Sequence, residues 1–245
     1  MQPTRYGARM ADRSVLVTGG TGGLGGAVVE AFRAGGWRVV APIRGEASVV
    51  APIRGEDGLD GVVAVSGVDA SDPAGVARAV EIAAGDPAAP LRAVVNLIGG
   101  YAGGGRVHET PLADFERQLT VNLRPTYLVT QAALPHLIAA GGGAVVCVSS
   151  RAAVAPFAGA SGYVTAKAAV LAFAQAVAVE YRRDRVRCNT VLPSIVDTPA
   201  NRAAQPDADH SRWVPPAEIA QVIRFLASDE STPTSGAAIP VYGRA

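Results

Sequence analysis

Apolar runs of strand length alternate along this chain with longer stretches of helical periodicity. SVLVT (14–18) leads to LGGAVVEAFRAGG (24–36), then WRVVAP (37–42), GVVAVSG (61–67), PAGVARAVEIAA (73–84) and RAVVNLIG (92–99). Short β-branched runs bounded by turn residues read as strands buried on both faces. Their alternation with amphipathic helices predicts a parallel sheet covered by helices on both sides. The second half continues the pattern: one helical stretch over 113–140 ending at glycines 141–143, the strand AVVCVS (144–149), and a second long helix over 161–182. RVRCNTVL (185–192) is the next strand, PPAEIAQVIRFLAS (215–228) an amphipathic helix opened by proline, and AAIPVY (237–242) a closing strand. This predicts a doubly wound α/β sheet of about seven strands with about six helices. No linker or composition shift divides residues 1–245, so a single domain is expected.

Two segments fall outside the alternation. Residues 193–216 form a long irregular stretch after a strand end, where open α/β sheets bind ligands, and are expected to be a substrate-covering lid. The octapeptide VVAPIRGE occurs twice, at 39–46 and 49–56. The first copy fits the second strand. The second, with Pro52 against a regular helix, is expected to be an insertion in a surface loop. The start of the chain carries arginines without an apolar stretch behind them, so 1–13 is expected to be a flexible tail rather than a signal peptide.

With 49% hydrophobic and 18% charged residues, the chain can bury a sizeable core and does not have the composition of a disordered one. The net charge of +1 comes from 22 basic and 21 acidic residues without a basic stripe, which argues against nucleic acid as a partner. Cys147 and Cys188 lie in β-branched surroundings and read as small core residues, consistent with a reducing cytoplasm. The most apolar long segment, 168–179, is shorter than the ~20 residues of a bilayer span, so no membrane partner is expected. His108, His136 and His210 lack the short spacings of metal ligands, and no metal site is expected.

The chemistry begins at Thr18. The run from Gly19 through Thr21, Gly22, Gly23 and Leu24 to Gly25 follows the first strand and opens a helix. Glycines there let the backbone turn tightly and approach a pyrophosphate, whose charge sits at the positive helix N-terminus. Tyr163 and Lys167 stand four apart on one helix face, so the ammonium can lie near the phenol and favour phenolate at working pH. A phenol so tuned is a general acid or base. Ser150, at the end of the preceding strand, would hydrogen-bond a substrate oxygen as charge develops there, and no histidine is placed to make it a nucleophile. A lone Tyr-x3-Lys or Ser-Ser pair is ordinarily a solvated pair or a turn. Their order on this strand–helix pattern gives them weight.

The spacing Thr18-Gly19-x3-Gly23-x-Gly25, with Ser150 thirteen residues before Tyr-x3-Lys, resembles the short-chain dehydrogenase/reductase family. Asn122 matches that family's helix asparagine, and Asp69, with Ala70 beside it, its adenine-side aspartate. Asn96 and Gly99 retain part of its NNAG segment, and Pro193, Val196 and Thr198 fall in its PGxxxT segment. The resemblance covers nearly the whole chain. It implies a Rossmann-type fold and hydride transfer between NAD(P) and a small carbonyl or alcohol substrate. It also implies a water held by Asn122 as a proton relay to Lys167, and Lys167 on the nicotinamide ribose. Homodimers or homotetramers through the two long helices and the last strand are implied too. The small-residue face of 166–178 suits such packing and equally suits an internal core.

The match has departures. NNAG is Asn96-Leu97-Ile98-Gly99, and Ser194 replaces the glycine of PGxxxT. These changes, with IGGYAGG (98–104), residues 192–216 and SGAAIPV (235–241), resemble the quinonoid dihydropteridine reductase branch. That branch uses the Tyr/Lys pair without a serine at position 150, whereas a serine aimed at an oxygen fits a ketone or alcohol better. A carbonyl/alcohol oxidoreductase is therefore the first expectation, with a pterin reductase and a non-catalytic dinucleotide sensor as alternatives. The second strand ends beside the adenine ribose in this fold. Ile43 falls where an NAD-type aspartate would be, and Arg44 would pair with a 2′-phosphate, so NADP is favoured over NAD. A ten-residue slip would put Arg54 there instead. Tyr101, residues 153–157 and the lid, with Phe157 and Trp213, are expected to line a pocket for an apolar molecule of modest size.

Overall fold

The structure, a computed structural model, describes residues 11–45 and 62–244. Seven strands form one parallel sheet: β1 (Ser14–Thr18), β2 (Arg38–Pro42), β3 (Val62–Val65), β4 (Leu91–Asn96), β5 (Gly143–Val148), β6 (Val186–Pro193) and β7 (Ala238–Val241). Their order is β3-β2-β1-β4-β5-β6-β7, which reverses between β1 and β4 and opens a crevice at the strands' C-terminal ends. Among the described residues the helices are α1 (Gly25–Ala34), α2 (Pro73–Ala84), α3 (Leu112–Asn122), α4 (Arg124–Ala139), α5 (Ser161–Glu180), α6 (Pro199–Ala204) and α7 (Pro216–Ala227), with short 3-10 turns between them.

Alternation along the strands builds two cores. Leu16, Val40, Val94, Val145 and Cys147 face α2, α4 and α5, whereas Val15, Val17, Val39, Val95 and Val146 face α1 and α7. Both cysteines are buried free thiols on β5 and β6. Val170, Ala174 and Ala178 pack into the first core and Ala166 is fully buried, so the small-residue face is internal. α5 is 20 residues long, well beyond the apolar stretch at 168–179, and on length and composition alone could cross a bilayer; that inward face lies under the sheet.

Two expectations change. The helical stretch over 113–140 is two helices, broken at Leu123 (φ −100°, ψ −47°). Pro125 has no N–H to continue the ladder and instead opens α4 in its first turn, and the Asn122 amide bonds back to the Gln118 carbonyl at 3.0 Å. The lid over 193–216 is not irregular. Pro193 ends β6, Val196 bridges to Val214, and Thr198 caps α6 by accepting from the Asn201 N–H at 3.2 Å, with Pro199 at the first helical position. A 3-10 turn at His210–Arg212 completes the segment. The first copy of the octapeptide forms β2 through Pro42. The second copy, with Arg54, and most of the N-terminal tail lie outside the described residues.

Candidate active site

The glycine turn meets the crevice at the end of β1. Gly22 donates to the Gly19 carbonyl and Gly25 to that of Gly22, each at 2.9 Å, winding the chain into α1. A side chain at Gly25 would put its Cβ 2.1 Å from the Gly19 oxygen, so only glycine closes this turn. Thr21, Gly22 and Gly23 are exposed, and Leu24 caps the helix without a side-chain bond, so that beyond the Gly25 N–H the first turn's N–H groups face an incoming anion. On the other wall, a Cβ on Gly23 would lie 2.6 Å from Thr198 Cγ2, so the turn and the chain that follows β6 are in direct apposition. The residues fit a dinucleotide pyrophosphate.

Arg44 follows β2 and Asp69 follows β3, which brings them to the same edge: Arg44 Nε lies 4.0 Å from Asp69 Oδ2. Asp69 Oδ1 accepts from the Ser71 N–H and hydroxyl, both at 2.8 Å. These bonds first, and Arg44 after them, hold the carboxyl below its ordinary range. The Arg44 side chain is 81% exposed, so its guanidinium fork is not consumed by the pair. Ala70 is buried beside Asp69.

The end of β5 anchors the reactive residues. Ser149 Oγ donates to the Lys167 carbonyl at 2.7 Å, and Lys167 Nζ donates to the Val148 carbonyl at 3.1 Å, fixing α5 against the strand. Ser150 Oγ accepts from the Ala152 N–H at 3.1 Å and lies close enough to the Tyr163 phenol to favour its ionised form. The Tyr163 ring takes the edge of Tyr101, centroids 5.2 Å apart at 87°. Tyr101 also packs on Phe157, at 6.0 Å.

The protonation states differ from the simple pairing argument. Burial pushes the Tyr163 phenol above its ordinary value; the Ser150 hydroxyl opposes this and Tyr101 adds to it. The expected lowering by Lys167 is absent, because Nζ turns to the Val148 carbonyl and lies 5.9 Å from the Tyr163 ring centroid. Burial instead pushes Lys167 down to about 8. No carboxylate pairs with it among the described residues. Lys167 is also the only lysine in the chain, beside 21 arginines, a signal in the sequence that pattern-reading passed over.

Asn122 is fixed by Gly100: Oδ1 accepts from its N–H at 3.0 Å and Nδ2 donates to its carbonyl at 2.9 Å. A Cβ on Gly99 would fall 2.7 Å from Asn122 Oδ1 and 2.9 Å from Lys167 Nζ. The bare glycine thus lets both polar groups approach its backbone more closely than a side chain would allow. The Asn96 side chain turns away from the crevice. Its Nδ2 donates to Thr130 Oγ1 at 3.0 Å, inside the sheet–α4 packing, so its side chain secures β4 rather than lining the crevice. Trp213 is likewise buried, its ring 4.3 Å from His210, and is withdrawn from the pocket wall; Tyr101 and Phe157 remain more than half exposed. Ser194 donates to the Tyr242 carbonyl at 2.9 Å, tying the end of β6 to the chain beyond β7, a bond that a glycine there could not make.

A glycine turn at the topological switch point, with Ser150, Tyr163 and Lys167 gathered at the next strand end, is the apparatus of a nicotinamide-dependent oxidoreductase. Residues 13–209 match the family model for short chain dehydrogenases. The 2-(R)-hydroxypropyl-CoM dehydrogenase of Xanthobacter autotrophicus is 32% identical, with 94% of this chain and 97% of that one aligned. The L-xylulose reductase of Bos taurus is 33% identical, with 96% and 97% aligned. Among solved structures, a short-chain type dehydrogenase/reductase from Mycobacterium ulcerans superposes with a TM-score of 0.87 at 26% identity, over 96% of this chain and 90% of that one. The chain belongs to the short-chain dehydrogenase/reductase family, NAD(P)-dependent oxidoreductases of alcohols and carbonyls.

Proposed function

We propose that this chain, as a single dinucleotide-binding domain, reduces a small, largely apolar ketone, or oxidises the matching alcohol, with NADP preferred. The bound nicotinamide supplies or accepts the hydride. In reduction, Tyr163 Oη gives its proton to the substrate oxygen, and the Ser150 hydroxyl donates to the same oxygen as negative charge grows on it. A phenol held above its ordinary pKa keeps its proton until the substrate oxygen becomes basic enough to take it. Lys167 and Asn122, both packed against Gly99, return the proton from solvent through a water. Tyr163, Lys167, Gly99 and the chain from Pro193 through Val196 to Thr198 border the nicotinamide half; the glycine turn, Arg44, Asp69 and Ala70 border the rest. Asn96 supports this wall from within the core.

The observation that carries this reading is that the end of β5 and the first turn of α5 bring Ser150 and Tyr163 into electrostatic contact, with Lys167 buried beside them. It favours a carbonyl over a pterin ring, and the aligned relatives are named for an alcohol dehydrogenation and a ketose reduction. Retention of the Tyr/Lys pair disfavours a non-catalytic sensor. NADP is preferred because Arg44 presents an exposed fork and Ile43 offers no carboxylate to a ribose hydroxyl. Leu112, Val121, Tyr127 and Val179, exposed on α3, α4 and α5, are the basis for reading the chain as a homodimer or homotetramer, and the free thiols of Cys147 and Cys188 for placing it in a reducing cytoplasm. Turnover of a panel of ketones with NADPH and NADH, run beside a quinonoid pterin, is the test. Ketone turnover supports the reading, and turnover of the pterin alone transfers it to the pterin reductases.

A further inference from the structure

The opposite edge of the sheet holds a second concavity. Its volume is about 870 Å³, and it is bordered by the residues that start β1, β4, β5 and β6. β6 alone is eight residues long, which separates this edge from the reactive serine and tyrosine by about 25 Å. Five arginines border it, Arg13, Arg92, Arg182, Arg185 and Arg187, against two acids, Asp12 and Asp229.

Both acids are already engaged by one arginine. Arg13 lies 3.5 Å from Asp12 and 3.7 Å from Asp229, with its guanidinium over the Trp37 ring at 4.6 Å. Arg92 donates to the Ala140 carbonyl at the end of α4. Arg187 donates to the Leu226 and Ser228 carbonyls and to Ser231 Oγ, each at 2.8 Å, at the end of α7. Each helix C-terminus offsets about half a charge. An excess of about two positive charges therefore remains, on Arg182 and Arg185, which have no carboxylate partner among the described residues.

The backbone is unusual at the same place. Arg185 has φ +60°, and among the described residues it is the one non-glycine with positive φ. Its carbonyl accepts from the Gly143 N–H at 3.2 Å, and a Cβ on Gly142 would meet that carbonyl oxygen at 2.6 Å. The facing chain is built around this conformation. A bulky side chain held in the left-handed region is strained, and such strain collects at ligand clamps. Glycine or asparagine would relieve it, and neither would carry a guanidinium.

We propose that this concavity is a second, non-catalytic site for a compact multivalent oxyanion of the diphosphate type, gripped by Arg182 and Arg185 beside the pre-oriented Arg187. Two unpaired guanidiniums on an arginine-lined floor match an anion with two charged oxygen clusters better than a monovalent one.

The test uses inorganic pyrophosphate as the probe, with saturating NADPH present to occupy the glycine turn, and reads calorimetric binding and the melting midpoint. The expected result is saturable binding that NaCl of equal ionic strength does not reproduce. Arg182→Ala, on an exposed side chain, weakens it by about tenfold. Arg185→Gly also abolishes the pyrophosphate shift, while raising the unliganded midpoint by about 2 °C through relief of backbone strain. Absence of binding, an effect equalled by NaCl, or binding unchanged in both variants overturns the proposal.

Discussion

The Tyr101 ring stands edge-on to the Tyr163 ring, centroids 5.2 Å apart, and the Tyr101 phenol adds to the elevation of the Tyr163 pKa. Tyr101→Phe keeps the ring contact and removes only the hydroxyl. The limb of the pH–rate profile that reports Tyr163 is expected to move to lower pH, with KM for the dinucleotide unchanged. Profiles of kcat/KM for the two proteins check this.

Lys167 is buried and pushed down to about 8 from 10.5. Below pH 8 it is protonated in both folded and unfolded chains, and folding bears the full cost of burying the charge. Between about 8 and 10.5 the unfolded chain binds more protons, so this group's contribution makes stability rise with pH. Lys167→Met is expected to be more stable than the parent at pH 7, by on the order of 3 kcal/mol, and the gap should close as pH rises through that window. Denaturant midpoints across pH measure it. Because the chain has a single lysine, isotope-labelled lysine gives one ε-signal, whose titration midpoint is expected near 8.

Gly99→Ala drives a methyl against Asn122 Oδ1 and Lys167 Nζ, which must both shift. Turnover is expected to fall about a hundredfold through misplacement of these groups, with the lysine signal shifted from its parent position. An unchanged kcat would remove Gly99 from the proton path.

Arg44→Ala is expected to raise KM for NADPH at least tenfold and leave KM for NADH within about twofold. Initial-rate kinetics with both cofactors check it. Equal effects would mean that Arg44 serves only its contact with Asp69.

The fold was legible because strand and helix periods alternate cleanly: Pro73 after Asp72 marks the start of α2, and β-branched runs mark all seven strands. The break at Leu123 was hidden, because proline is tolerated in a helix's first turn and so does not announce where the previous helix stops. The reactive set was legible through spacing, since Tyr163 and Lys167 share one helix face whatever packs around it. Their protonation states were not, because they depend on burial and on the Val148 carbonyl, which lies eighteen positions before Ala166 in sequence and reaches Nζ only through the β5–α5 packing. The inward turn of Asn96 depends in the same way on Thr130, a partner 34 positions away.

The central claim is that Tyr163 delivers the proton. Its most direct test is Tyr163→Phe, with turnover of the best panel substrate and NADPH affinity measured on the same protein. The ring and its contact with Tyr101 survive this change, so the dinucleotide is expected to bind with a Kd within about threefold of the parent while turnover falls by a factor of about 100 or more. A variant that retains most of its turnover with normal NADPH binding would contradict the account.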